Sequence, residues 1–101
     1  KKTMKRIMLV CNAGMSTGIL AKKIQEASNG EYEVFAFGEA EYLDHLENTD
    51  LILVGPQIRH LLPNIRKAVA IPVEVIAPVK YGLMDGKGVC QDIKNIFKED
   101  L

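Results

Sequence analysis

Residues 7–17 read Ile-Met-Leu-Val-Cys-Asn-Ala-Gly-Met-Ser-Thr, and this stretch decides the fold. Its first four residues form a short apolar run of the kind found in buried parallel strands. A helical pattern begins at the last residue of this stretch, Thr17. The sequence therefore predicts a strand, a tight loop and a helix in immediate succession, with Cys11 at the carboxyl end of the strand.

The loop after Cys11 has the composition of an anion-binding loop. Apart from Met15, residues 12–17 are small or carry a hydroxyl or amide group, so the backbone can curl tightly and direct its N–H groups toward one centre. A loop of this kind that opens onto a helix N-terminus binds anions. Because the same field favours a thiolate, the sequence predicts a nucleophile and a phosphate-binding loop at one place.

Apolar runs alternate with helix-length polar segments along the whole chain, which is typical of a parallel sheet covered by helices on both faces. Strands are predicted at 6–10, 33–37, 51–54 and 73–76. Helices are predicted at about 16–28, 39–49, 63–70 and 86–98, with a turn at 57–62 and an irregular loop at 77–86. The order predicts one α/β domain over residues 1–101, with residues 1–3 outside its structure. We expect a doubly wound four-stranded parallel sheet in the order 2-1-3-4, similar to small tyrosine phosphatases and flavodoxin-like folds.

Apolar residues at helical spacing predict which side of each helix is buried. On the first helix the buried set is Ile19, Leu20, Ile24 and Ala27, and on the last it is Val89, Ile93, Ile96 and Phe97.

Composition and charge exclude several classes of function. The 101 residues suffice for one domain, and 13 basic against 13 acidic residues give no net charge, which argues against nucleic acid as the principal partner. No apolar run approaches the roughly 20 residues that cross a bilayer, and no signal-peptide pattern is present. We therefore expect a cytoplasmic protein without direct membrane insertion. Because the cytosol is reducing, its two cysteines are expected to be free. One compact, charge-balanced domain is expected to be a monomer.

No cofactor or metal is expected from the sequence. The acidic residues between 39 and 50 have the spacing of a solvated helix face, and His45 and His60 each stand alone. His60 is the less remote candidate for proton transfer, because it follows the loop after the third strand. Asp85 fits a general acid or the N-cap of the last helix equally well. Cys90, inside a predicted helix, is expected to be a buried small hydrophobe.

The segment Val-Cys-Asn-Ala-Gly-Met-Ser-Thr at 10–17 resembles the phosphocysteine loop of the enzyme IIB component of the bacterial sugar phosphotransferase system, in its lactose/cellobiose family. Its Gly-Met-Ser-Thr ending is more similar to the cellobiose and chitobiose type than to the lactose type. Gly-Pro-Gln at 55–57 and Tyr-Gly-x-Met at 81–84 also resemble that family, so the similarity extends over nearly all of the chain.

The resemblance implies a phosphoryl carrier. Cys11 would accept phosphate from a phosphohistidine of enzyme IIA and pass it to a β-linked disaccharide, such as cellobiose or chitobiose, bound by the membrane enzyme IIC. The implied phosphate-binding residues are Asn12, Ala13, Gly14, Met15, Ser16 and Thr17. The implied rim residues and partner contacts are Gln57, Tyr81, Gly82 and Met84, with Met15 as the apolar contact at the crown of the loop.

Two other classes stay open at this stage. A low-molecular-weight tyrosine phosphatase has a similar loop, but it clamps the phosphoryl group with an arginine six residues after the cysteine, where this chain has Thr17. Losing that clamp should slow hydrolysis of a phosphocysteine, which favours a carrier. A non-catalytic nucleotide-binding or flavin-phosphate-binding module would tolerate Cys11→Ser, but the Gly-x-Gly-x-x-Gly and Gly-Lys-Ser/Thr patterns of such modules are absent.

Overall fold

The computed structural model describes residues 4–12 and 15–99, and for Met15 and Glu99 the backbone alone. The strands are β1 (Lys5–Cys11), β2 (Tyr32–Gly38), β3 (Leu51–Val54) and β4 (Val73–Val75). The α-helices are α1 (Met15–Ala27), α2 (Leu62–Ala68), α3 (Pro78–Gly82) and α4 (Gly86–Glu99), and 3-10 helices span Tyr42–His45 and Pro56–Leu61. Residues 1–3, which were predicted to lie outside the domain's structure, are not among the described residues.

The four strands form one parallel sheet in the order β2-β1-β3-β4, which confirms the predicted order 2-1-3-4. β1 is one of the two inner strands of this arrangement, together with β3. It pairs with β2 from Lys5 opposite Tyr32 to Cys11 opposite Gly38, and on its other side with β3. The chain therefore turns to one side of β1 first and to the other side next, and the strand order reverses beside Cys11.

The sheet is buried on both faces, which explains why residues 7–10 of β1 form an unbroken apolar run. Ile7 and Leu9 point toward α1 and α4, whereas Met8 and Val10 point toward α2 and the 3-10 helices. All four side chains are essentially inaccessible. Each contributes about 1.5–3 kcal/mol of burial free energy, so β1 is firmly anchored in the sheet.

Residues 39–49 do not form the predicted second helix. The 3-10 helix Tyr42–His45 is the helical part of this segment, and its turns are closed by bonds from an N–H to the carbonyl three residues earlier, as at Asp44 and Thr49. Tyr42 is buried, but Leu43 is exposed. The prediction was wrong because one buried side chain does not stabilise several helical turns.

Two further predictions on the other side of the sheet were wrong. Ile19 is 54% exposed, because the buried row of α1 is Leu20, Ala21 and Ile24, and Ile19 lies a large rotation away from its centre. The loop predicted at 77–86 contains the short helix α3. Pro78 starts it, as proline does at a first helical position.

Candidate functional site

The carboxyl ends of β1 and β3 define the candidate site, because ligands of open α/β sheets bind where the strand order reverses. Cys11 is the last residue of β1. Its carbonyl accepts a hydrogen bond from the Glu39 N–H at 2.8 Å, and the Gly55 N–H donates to Val10 at 2.9 Å. The backbone of Cys11 is thus fixed between the loops that follow β2 and β3.

The Cys11 side chain is a free thiol whose orientation is set by a hydrogen bond. Its Sγ donates to the carbonyl oxygen of Phe37 at 3.8 Å, and the residue is only 6% exposed. The Phe37 ring is itself stacked on His45, with ring centroids 4.0 Å apart. The strand on one side of Cys11 therefore orients the nucleophile that the sequence predicts.

The loop after β3 approaches Cys11 from the other side. A Cβ placed on Gly55 would lie 3.9 Å from the Cys11 Cβ and 3.2 Å from the Gln57 Oε1. The Gln57 side chain is exposed, with its amide oxygen beside Gly55. The structure thus brings Gln57, a predicted rim residue, to the same edge as the sulfur. Its contact with a partner stays a prediction.

Three hydroxyl groups meet at the start of α1. The Thr17 Oγ1 lies 2.8 Å from the Tyr81 Oη, and the Ser16 Oγ lies 3.2 Å from the same Tyr81 oxygen. Thr17 is fully buried and Ser16 is half-buried. Tyr81 was predicted to lie on a rim, but it is 9% exposed and packs in the core with its hydroxyl on the loop residues.

The short helix α3 is fixed in place at its carboxyl end and by a contact of Lys80 with α4. The Asp85 N–H donates to the Lys80 carbonyl at 2.9 Å and the Met84 N–H donates to the Tyr81 carbonyl at 3.1 Å, which is the hydrogen-bond pattern of a Schellman cap. Lys80 also bonds both carboxylate oxygens of Asp92 on α4 at 2.8 Å. These bonds hold Tyr81 at a defined position beside α1.

Met84 has a backbone conformation that is uncommon for a side chain of its size. Its φ is +53°, at the position after a helix where glycine is the usual residue. The side chain is half-buried against the core cluster, and Gly82, two residues earlier, is exposed. Of these two predicted rim residues, Gly82 is the more open to solvent, and the contact of either with a partner stays a prediction.

Other predicted residues are less directly placed at the site. Ala13 and Gly14 lie outside the described residues, as does the Met15 side chain, and Asn12 is exposed. His60 is exposed in the 3-10 helix after β3. Asp85 accepts a hydrogen bond from the Gly88 N–H at 2.9 Å, so its carboxylate caps α4.

Arg6 lies far from Cys11 and Arg66 is engaged elsewhere, whereas Arg59 lies in the segment after β3. Arg6 is at the opposite end of β1, roughly 16 Å from Cys11 at the rise of a strand, where it pairs with Glu33 and covers the Phe35 ring. Arg66 donates to the Val73 carbonyl at the start of β4. Arg59 is exposed in the 3-10 helix after β3.

The second cysteine is unsuited to nucleophilic chemistry. Cys90 is buried in α4, as predicted, and this burial is the main cause that raises the pKa of its thiol. Lys94 partly opposes that shift and Glu31 adds to it. Between the two thiols, the arrangement of loops at the sheet edge singles out Cys11.

Within residues 4–12 and 15–99 there is no cluster of three or more histidine, cysteine, aspartate or glutamate residues that could bind a metal ion. In the same part of the chain, no helix combines the length and apolar character needed to span a membrane.

Sequence reasoning missed two features of the site. The Phe37 carbonyl is a backbone atom of a neighbouring strand, so its contact with the Cys11 sulfur depends on register and leaves no signal in residue types. The hydrogen bonds between Tyr81 and the hydroxyls of Ser16 and Thr17 could have been anticipated from a signal in the sequence. Pro78 is a helix-start signal three residues before Tyr81, and a short helix there turns the ring inward.

Comparisons with known proteins agree with this arrangement. Residues 6–92 match the family model described as "PTS system, Lactose/Cellobiose specific IIB subunit". The oligo-beta-mannoside-specific EIIB component of Bacillus subtilis (strain 168) is 37% identical over 90 residues, covering 83% of this chain and 87% of the relative. The galactose-specific EIIB component of Lactococcus lactis subsp. cremoris (strain MG1363) and the cellobiose-specific EIIB component of Lactococcus lactis subsp. lactis (strain IL1403) are each 37% identical over 104 residues, covering 92% of this chain and 96% of each relative.

Two solved structures have the same fold. The cellobiose-specific phosphotransferase IIB component from Borrelia burgdorferi superposes with a TM-score of 0.75 at 32% identity, covering 95% of this chain and 94% of that one. The lactose-specific IIB domain from Streptococcus pneumoniae superposes with a TM-score of 0.79 at 16% identity, covering 91% and 96% of the two chains.

Proposed function

Because this chain belongs to the lactose/cellobiose-specific IIB subunit family of the phosphotransferase system, we propose that Cys11 carries the phosphoryl group in a sugar-specific relay. The observation that carries the proposal is the position of the thiol. Cys11 ends the inner strand β1 where the strand order reverses, between the loops after β2 and β3 and four residues before the start of α1.

In the first step the Cys11 thiolate attacks the phosphorus of a phosphohistidine on an enzyme IIA partner. The S–P bond forms as the P–N bond breaks in line, and the histidine nitrogen leaves with the electron pair. The phosphoryl oxygens are then held by the amides of residues 12–17 at the start of α1. Before the step, the protonated Cys11 thiol donates to the Phe37 carbonyl oxygen, 3.8 Å from the sulfur, and this bond is lost when the thiolate forms.

In the second step the phosphocysteine is the donor. A sugar hydroxyl attacks the phosphorus, and the P–O bond forms as the P–S bond breaks. The electron pair of the P–S bond goes to the Cys11 sulfur, which takes up the proton released by the hydroxyl and is restored as a thiol. A thiolate is a good leaving group, so the sulfur that acts as the nucleophile in the first step can also depart in the second.

A carrier fits this site better than a hydrolase. Hydrolysis of a phosphocysteine is assisted by a guanidinium that clamps the transferring group, and residues 11–17 contain no arginine. Arg6 is roughly 16 Å away along β1, and Arg59 lies outside the cysteine loop, in the 3-10 helix after β3. The phosphocysteine should therefore persist until the next acceptor docks.

The acceptor is proposed to be a β-linked disaccharide such as cellobiose or chitobiose, bound by the membrane enzyme IIC. The relatives are specific for an oligo-β-mannoside, galactose and cellobiose, so the family does not point to one sugar. The protein is expected to act as a monomer between enzyme IIA and enzyme IIC.

The test is reconstituted sugar phosphorylation with phosphoenolpyruvate, the general phosphotransferase proteins, a cognate enzyme IIA and membranes that contain enzyme IIC. Cellobiose, chitobiose and galactose are offered in parallel. Cys11→Ser should abolish sugar phosphate formation, whereas Cys90→Ala, which removes the other thiol, should retain it. Full activity of Cys11→Ser would overturn the proposal, and turnover of an aryl phosphate by the wild type in place of transfer would identify a phosphatase.

A further inference from the structure

We propose that Tyr81 is a positioning residue. Its hydroxyl sets the direction of a chain of hydrogen bonds that runs from Thr17 through Tyr81 to Ser16. Ser16 is thereby oriented to donate a hydrogen bond to the phosphoryl group on Cys11. The inference rests on the proposed function of Cys11. The hydroxyls of Ser16 and Thr17, which were both predicted to bind phosphate, would then have different roles. Tyr81 would not belong to the surface that contacts the partners.

The direction of the chain follows from burial at one end. Thr17 is fully buried, and Tyr81 is its hydroxyl's hydrogen-bond partner within the described residues. A buried O–H without an acceptor is costly, so Thr17 donates to the Tyr81 oxygen at 2.8 Å. Tyr81 has a single proton of its own, and its second neighbour is the Ser16 oxygen at 3.2 Å.

The proton of Ser16 is consequently left for a ligand. Ser16 accepts from Tyr81, so its own O–H points away from the chain. Ser16 is half-buried, which makes it the open end of a chain that is closed at Thr17. It is the second residue of α1, the helix that begins three residues after Asn12, so this open end lies at the helix N-terminus beside the cysteine loop.

The chain is built before any phosphoryl group arrives. The Tyr81 ring is 9% exposed in the core, and α3 is held by its Schellman cap and by the Lys80 bond to Asp92. A donor that is already oriented costs no reorganisation when negative charge appears on the phosphoryl oxygens. Successive hydrogen bonds in one direction also polarise one another, so Tyr81 strengthens the bond that Ser16 donates.

The decisive variant is Tyr81→Phe, which removes one oxygen and keeps the ring. We expect kcat for phosphoryl transfer from enzyme IIA to fall about tenfold, equivalent to ~1.4 kcal/mol. The KM for phosphorylated enzyme IIA should stay within twofold or so, because a buried hydroxyl does not touch the partner. Ser16→Ala should lose at least as much, and the double variant should lose no more than Ser16→Ala alone.

Matched variants separate positioning from stability. Tyr32→Phe removes the hydroxyl of another buried tyrosine of the same core cluster and should leave transfer unchanged. Thr17→Val removes the hydroxyl that sets the direction while Tyr81 remains, and it should lose more rate than Thr17→Ser. This pair keeps the inference testable if Tyr81→Phe fails to fold.

The spectroscopic readout is the ³¹P chemical shift of the phosphorylated protein at one fixed pH. Tyr81→Phe and Ser16→Ala should move that signal in the same direction, and Tyr32→Phe should not move it. A raised KM with unchanged kcat in Tyr81→Phe would make Tyr81 a partner contact and overturn the inference, as would fully additive losses in the double variant. If the wild type acquires no phosphoryl group on Cys11, the proposed function fails; if it does and Tyr81→Phe equals it, only this inference fails.

Discussion

The close approach of α1 and α4 at Gly86 gives a prediction whose size can be worked from the structure. A Cβ on Gly86 would lie 2.7 Å from both the carbonyl carbon and the oxygen of Lys23, and 2.8 Å from the Lys23 Cβ. Carbon atoms in contact are normally about 3.5–4.0 Å apart, so an alanine would overlap the α1 backbone by roughly 1 Å. Backbone atoms inside a helix cannot turn aside, and the two helices would have to separate.

We expect Gly86→Ala to lower the free energy of unfolding by about 1–3 kcal/mol, the usual cost of overpacking. In a domain of this size each kcal/mol corresponds to about 4–8 °C in Tm. Gly18→Ala is the matched control, since Gly18 lies inside α1, is exposed, and has no atom within 4 Å of an added Cβ. It should instead raise stability by about 0.8–1.0 kcal/mol through helix propensity.

The assay is urea unfolding followed by circular dichroism, with a thermal scan of each variant. The two glycine-to-alanine changes are chemically identical. If they change the free energy of unfolding in opposite directions, the loss in Gly86→Ala is due to the contact between the helices and not to helix propensity. A Gly86→Ala protein as stable as the wild type would refute the reasoning, because it would mean that α1 and α4 are not in contact at this position.

Three other changes test local features. Asp85→Ala should cost about 1 kcal/mol in urea unfolding by removing the cap on the Gly88 N–H, with an unchanged rate of phosphoryl transfer; a large loss of rate would indicate a general acid. Burial raises the pKa of Tyr32 from 10.0 to about 12, so the folded state holds that proton more tightly and stability falls as pH rises through this window. Tyr32→Phe should remove about 2 kcal/mol of that loss at about pH 11.5, measured against the wild type, and an identical pH profile would contradict it. Arg66→Ala should cost about 1–2 kcal/mol, because the guanidinium donates twice to the Val73 carbonyl at 3.0 and 2.9 Å, whereas no change in the urea midpoint would show that this contact is not formed in solution.

The sheet could be predicted from the sequence because its signals are local. Buried parallel strands are short apolar runs, and β3 at Leu51–Val54 was predicted with its observed bounds. The helix ends carried equally local signals, with Asn29 and Gly30 at positive φ after α1 and Asp85 capping α4. Strand order then followed from topology, since right-handed crossovers leave few arrangements of four strands.

The features that could not be predicted depend on tertiary contacts. Leu43 fits a helical pattern as well as Leu20 does, and nothing in the sequence says that Leu43 has no surface to pack against. The same holds at the site. Cys11 was predicted as the site residue from its own loop, whereas the inward turn of Tyr81 depends on α3, which is held by contacts with α4.

The central claim is that Cys11 is the phosphoryl carrier, and intact mass spectrometry tests it most directly. Wild type and Cys11→Ser are incubated with phosphoenolpyruvate, the general phosphotransferase proteins and a cognate enzyme IIA, and the modified residue is then mapped. We predict one acid-stable, sulfur-linked phosphoryl group on wild-type Cys11 and none on the variant. Phosphate on another residue, or equal phosphorylation of both proteins, would contradict the account.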